Sequence, residues 1–166
     1  SHNPQNLNTP NYGLTEWEDL FTDRQLVALT TFSDVLSAIR DKVVADAVAA
    51  GMTGDGVRLC DGGTGAAAYA DAIVTYLAFT VDKCINLWSN IVSWMNDRGA
   101  FREVFARQAI AMTWDFAEAN PFSGRGGSWV LCLDKVQKAV AHLPAMGDGG
   151  VVQRDARVRV GECAPC

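Results

Sequence analysis

The chain of 166 residues has no apolar run of the ~20 residues needed to cross a bilayer. Its most apolar stretch, residues 72–81, is bounded by Asp71 on one side and by Asp82 and Lys83 on the other. That pattern suits a buried helix segment. The first residues show neither the basic region nor the apolar core of a secretory signal, which points to a cytoplasmic setting and no membrane partner. Positive charge is also scarce: 14 basic side chains face 19 acidic ones, a net charge of -5. A chain with this balance lacks the basic face that an autonomous nucleic-acid binder needs. Histidine is rarer still. His2 sits in a polar arm and His142 near a helix end, so no Ser-His-Asp or Cys-His centre is credible.

Cysteine is sparse and odd in number, with Cys60, Cys84, Cys132, Cys163 and Cys166. An odd count without a secretory signal fits a reducing compartment and no disulfide framework. Cys84 and Cys132 lie in apolar periodic segments, where a small buried hydrophobe is the usual role. Cys163 and Cys166 have the spacing of half a zinc knuckle, but a zinc site takes four ligands and no second pair stands nearby. No metal site is expected within this chain. The pair is a tail, unless it joins a site elsewhere.

What the chain does have is apolar material, 49% of residues against 20% charged. That suffices for one folded domain burying about two thirds of its unfolded surface. Residues 1–13 are polar and broken by Pro4, Pro10 and Gly13, and read as a flexible arm. Thr22 and Gln25 then form a capping-box pattern, followed by Leu29, Phe32, Leu36, Ile39 and Val43 at helical steps. This helix runs to about Ala50, where Gly51 stops it. Residues 51–65 hold six glycines and read as a flexible interhelical loop. Its DGGTG segment (61–65) lacks the Lys-Ser/Thr and the preceding strand of a phosphate-binding loop.

Residues 66–98 contain neither Gly nor Pro and carry a helical stripe from Ile73 to Met95, with a break expected near residues 88–90. A further helix is expected from Gly99 to Ala119, ended by Asn120 and Pro121. Ser128 then caps a helix carrying Val130, Leu133, Val136, Val140 and Leu143. Residues 151–156 (VVQRDA) have the β-branched opening of a strand, and one short strand needs partners from beyond this sequence. The expected fold is therefore mainly α. It is a bundle of about four to six helices over residues 14–145, with a strand and tail at 146–166.

Three blocks in order resemble a known family. LFTDRQLVALTTFSD (20–34) is followed by YADAIVTYLAFTVDK (69–83), then by FARQA (105–109) and MTWDFAEANPFS (112–123). They are similar to blocks of the bacterial and archaeal adenine-specific DNA methylases. Those are large proteins that often carry a zinc ribbon and a domain of unknown function. The resemblance spans about residues 12–156. It implies a helical region preceding the Asp-Pro-Pro-Tyr catalytic motif, with the glycine motif for S-adenosylmethionine upstream. Neither motif occurs in this sequence.

The implied whole is an S-adenosylmethionine-dependent N6-adenine methyltransferase, with this region not catalytic by itself. Its implied partners are the rest of the methylase polypeptide and DNA. By the same resemblance, residues 151–156 match a strand of a larger methyltransferase sheet, and Asp155 matches a position that approaches the cofactor's adenine. Trp114, Asp115, Asn120 and Pro121 belong to the most distinctive block, read as structural.

The residues themselves offer two roles. Arg98, Arg102, Arg107 and Arg125, interleaved with Trp94, Phe101 and Trp129, can hold phosphates and stack bases. Arg98 and Arg102, four apart, share a face if their helix begins early. Against that, Arg102 can pair with Glu103 or Asp97 while the tryptophans form core. The acidic balance ranks scaffolding above DNA contact. Asp115 and Glu118, three apart on the expected helix, make a weak carboxylate pair without a third ligand. Asp115 more naturally anchors Arg107 or a backbone N-terminus, and Asp71, Asp82 and Lys83 read as structural. A helical module for protein interaction or dimerisation is the alternative function.

Overall fold

The computed structural model describes residues 7–106 and 109–143. Arg107, Asp155, Cys163, Cys166 and the strand expected at 151–156 lie outside the described residues. Three helices are present, α1 (Asp23–Ala49), α2 (Ala66–Ile85) and α3 (Trp129–Ala141), with a two-stranded antiparallel hairpin, β1 (Ser93–Met95) and β2 (Ala100–Arg102). The fold is mainly helical, but three helices replace the four to six expected. No helix among the described residues is long and apolar enough to cross a membrane.

The first helix starts where its capping box lies. Thr22 N–H donates to Gln25 Oε1 at 2.8 Å, and Gln25 N–H donates back to Thr22 Oγ1 at 3.4 Å. Each side chain thereby satisfies one of the helix's orphan amides. On α1, Leu29 is buried, and Ala28, Phe32 and Leu36 pack against the core. Helix α2 begins with buried Ala66, Ala67, Ala68 and Ala70, covered on more than one side and small enough to admit close neighbours. Its later turns contribute Val81 and Cys84 to the core, where Cys132 of α3 joins them.

The glycine-rich loop before α2 is pinned at several points. Ala66 N–H donates to Thr53 O at 2.9 Å, and a Cβ on Gly65 would lie 2.5 Å from that same oxygen. Asp71 reaches back from α2 to accept from Arg40 of α1 (2.8 Å), Arg58 (3.3 Å) and the Leu59 amide (3.1 Å). This carboxylate ties helix, helix and loop together. It is structural, as its sequence context suggested.

The second half departs from expectation. Helix α2 stops at Ile85, because buried Asn86 turns the chain: its Oδ1 accepts from Phe105 N–H and its carbonyl from Val104 N–H, at 2.9 and 3.1 Å. Ser89 and Asn90 then bind the backbone of Asp19 and Leu20 instead of extending a helix. Residues 96–99 form a four-residue turn with Gly99 at φ 58°, closing the hairpin. Trp94 and Phe101 are direct cross-strand partners, edge-to-face at 5.1 Å. A cross-strand aromatic pair and a positive-φ glycine favour a hairpin over the helix expected here.

Residues 109–120 are likewise not helical. Their polar groups are satisfied one at a time. Thr113 Oγ1 donates to Ile91 O (2.9 Å), Ala117 N–H to Val92 O (2.8 Å), and Met112 N–H to Asn8 Oδ1 (3.0 Å). Within the expected N-terminal arm, Leu7 bridges Ile110 and Thr9 is buried. Helix α3 begins after Ser128 as expected, but Ser128 gives no side-chain cap and Val130 is exposed rather than on the core side.

Candidate functional site

The two most distinctive sequence blocks meet at one place. Arg24, in the first turn of α1, forms a two-pronged ion pair with Glu118, at 3.0 Å from Nε and 2.6 Å from Nη2. The planar guanidinium fork matches the carboxylate edge, which makes this geometry directional. Beneath the pair lies a cleft of about 300 Å³, lined by Arg24, Gln25 and Ala28 of α1, by Trp88, and by residues 118–121.

Its floor is rigid. Trp88 is 1% exposed, and its Nε1–H donates to Gly127 O at 2.6 Å. Phe32 touches Trp88 on one side and stacks on Trp129 at 4.4 Å with a 15° interplanar angle. Gly127 must be glycine here. Its φ is 80°, and a Cβ would lie 2.6 Å from Ala119 Cβ. Asn120 and Pro121 end no helix, contrary to expectation. Asn120 Oδ1 accepts from Phe122 N–H at 2.9 Å in a side-chain-closed turn, and Pro121 O accepts from Trp129 N–H at 2.9 Å, leading the chain into α3.

One polar group of a residue lining this cleft lacks a partner among the described residues. Gln25 is 4% exposed, and among the described residues its Nε2 finds no acceptor. Leaving a buried amide donor unpaired costs about 1–3 kcal/mol. Arg24, Gln25 and Trp88 were not among the site residues expected from sequence, and Glu118 was weighed only as a weak carboxylate pair with Asp115. The Thr22–Gln25 capping box marks the start of the cleft wall. Nothing local points to its partners, since Glu118 lies 94 residues away from Arg24.

The expected arginine surface is divided. Arg98 sits in the hairpin turn and pairs with neighbouring Asp97 at 3.6 Å. It shares no helix face with Arg102, because no helix runs there. Arg102 lies opposite Ser93 on β2, so it faces away from the Trp94–Phe101 side of the hairpin. Arg125 is exposed in the loop whose glycines approach the Phe101 ring, with Gly126 positioned to place a Cβ 3.8 Å from it. Of the expected arginines among the described residues, Arg125 alone lies in a loop that approaches a hairpin aromatic, through the glycines beside it. Trp129 is a packing residue. Trp114 is 77% exposed, with Tyr12 edge-on at 5.3 Å, and Asp115 is exposed in a non-helical segment. Asp115 and Glu118 form no helical carboxylate pair, because no helix runs through residues 109–120, and Glu118 is engaged by Arg24.

Charge elsewhere is knitted into the fold. Glu103 accepts from Lys83 Nζ at 2.8 Å and Asn86 Nδ2 at 2.9 Å, with Lys135 at 3.6 Å, joining α2 and α3 to the hairpin exit. Burial pushes its carboxyl up, but Lys83, Lys135 and Asn86 together hold it below the usual carboxylate range. Asp71 is also lowered, chiefly by the Arg40 hydrogen bond against the cost of burial, with help from Leu59 N–H and Arg58. Cys84, fully buried, is pushed up by its contact with Cys132 and by burial, which keeps it a thiol. Among the described residues, no group of three or more His, Cys, Asp and Glu side chains is arranged to hold a metal ion. No known family model, curated protein or solved structure matches the chain.

Proposed function

We propose that this chain is the helical region of an S-adenosylmethionine-dependent, adenine-specific DNA methylase, serving to position the catalytic core and to help engage DNA. One observation carries the proposal. The resembling blocks at 20–34 and 112–123 are joined by the Arg24–Glu118 fork and build one cleft. Their joint occurrence in sequence thereby has a physical reason. Cofactor binding and base chemistry belong to the rest of such a methylase, because the glycine motif and the Asp-Pro-Pro-Tyr motif are not in this sequence.

The proposed DNA-facing groups are Arg125, in the loop whose glycines approach Phe101, with Arg102 and Arg98 on the hairpin. A duplex titration followed by fluorescence anisotropy at low and high salt tests this role. Binding that weakens with salt and falls further in Arg102→Ala/Arg125→Ala is the expected result. No binding at low salt excludes DNA engagement. Methyl transfer to DNA by this chain alone would overturn its non-catalytic assignment.

A second role, as a protein-interaction module, is favoured by apolar residues left in view between α2 and α3. Phe79 is 52% and Phe105 61% exposed beside Val136. A concentration-dependent rise in sedimentation coefficient would support self-association through this face.

A further inference from the structure

We propose that the cleft beside Gln25 is a binding site for a neutral carbonyl acceptor carried on a compact, flat apolar group. The inference stands on the cleft's own chemistry and does not depend on the methylase proposal. A capping box accepts Glu or Gln at its third helical position, since the cap uses only a side-chain oxygen. With Gln25, an amide nitrogen comes along as well. Its orientation is settled by the cap: Oε1 accepts from Thr22 N–H, and reversing the amide would set donor against donor. Nε2 is therefore the end turned away from the cap, buried and without an acceptor among the described residues.

The cleft that Gln25 lines is mainly apolar, with Asn120 as a polar neighbour. Ala28, Ala119 and Pro121 line it, and Trp88 presents ring carbon because its indole N–H is committed to Gly127. The charged groups at the mouth, Arg24 and Glu118, satisfy one another. A carboxylate ligand would face Glu118, and a cationic one would meet the donors of Gln25. A neutral carbonyl on an apolar frame complements both donor and walls. Because Nε2 is covered, entry requires the mouth to open. Arg24, with its side chain 77% exposed, can swing aside at little cost.

The test follows the Gln25 side-chain amide and Trp88 indole resonances of the labelled chain during titration with benzamide, benzoate and benzylamine. Benzamide alone is expected to shift both resonances saturably. Gln25→Glu preserves the capping box and removes the donor, so benzamide affinity should fall about fivefold or more. Ala28→Leu fills the cleft without touching the cap and should abolish the shifts. It carries the test if Gln25→Glu fails to fold by circular dichroism. Thymidine and N-acetylphenylalanine amide then separate a nucleobase from a peptide as the source of the carbonyl, and the tighter of the two identifies it. No shift with benzamide, equal shifts with benzoate or benzylamine, or affinity unchanged in a folded variant would each overturn the proposal.

Discussion

The chain divides into two regions that reach order by different routes. From Thr22 to Ile85, two helices satisfy their backbone groups locally and need neighbours mainly for apolar burial. From Asn86 to Ser128, little is regular, and the backbone is satisfied by particular partners: Asn86 with Phe105, Thr113 with Ile91, Ala117 with Val92, Trp88 with Gly127. In the first region, specific side-chain contacts such as those of Asp71 add to a backbone already satisfied within the helices. In the second, each contact fixes the course of the chain. The cleft lies on the seam, with one wall from each region.

Substitutions can separate the two regimes. The largest effect is expected at Trp88→Ala, which removes the buried floor of the cleft. A loss of about 3–5 kcal/mol in urea unfolding is expected for truncating a buried Trp, with Phe32 and Trp129 losing their packing partner. Gly127→Ala should follow at about 2 kcal/mol, from positive-φ strain and from collision with Ala119. A neutral Gly127→Ala would mean that the Ala119 contact is loose. In the helical region, Thr22→Ala removes only the cap and should cost about 1 kcal/mol, read as a modest fall in Tm. If Thr22→Ala outweighed Gly127→Ala, the contrast between the regions would fail.

The smallest effect expected is a change in pH dependence. Glu103 and Asp71 are both lowered in the folded state, so their stabilisation is complete above the ordinary carboxylate range. It is lost as pH falls through their depressed values. Unfolding measured between neutral pH and about pH 3 should show this loss. Glu103→Gln should flatten part of it, while costing under about 1 kcal/mol at neutral pH for a partly exposed pair. An unchanged acid limb would remove Glu103 from the network.

The same division explains what was legible in the sequence. Helix α1 could be read almost to the residue, because Thr22, Gln25, the Leu29–Phe32–Leu36 spacing and Gly51 all act locally. The start of α3 after Ser128 was legible for the same reason. The hairpin at residues 93–102 was not, because its first strand falls within residues 66–98, which hold neither Gly nor Pro and read as continuing helix. Its decisive signals, the Trp94–Phe101 pair and Gly99, gain meaning only once the chain has turned at Asn86. Residues 109–120 carry Ala, Met and Glu, all good helix formers, yet their backbone finds partners at Ile91, Val92 and Asn8 instead. Of the cleft, the Gln25 wall was marked by its cap. Glu118, Ala119 and Trp88 were not, because nothing near them in sequence names Arg24 or Gly127 as partner. The arginine cluster failed on the same ground, since Arg98 and Arg102 were aligned on a helix that the chain does not form.

The central claim is that the irregular region is as well ordered around Trp88 as the helices are, so that the cleft is a built site. Native-state hydrogen exchange at the Trp88 indole N–H and at the Ala117 and Trp129 amides tests it most directly. The account predicts that these protons exchange with free energies close to those of the Leu29 and Val81 amides in α1 and α2. Exchange near unprotected rates at Trp88, Ala117 and Trp129, with α1 and α2 still protected, would contradict it.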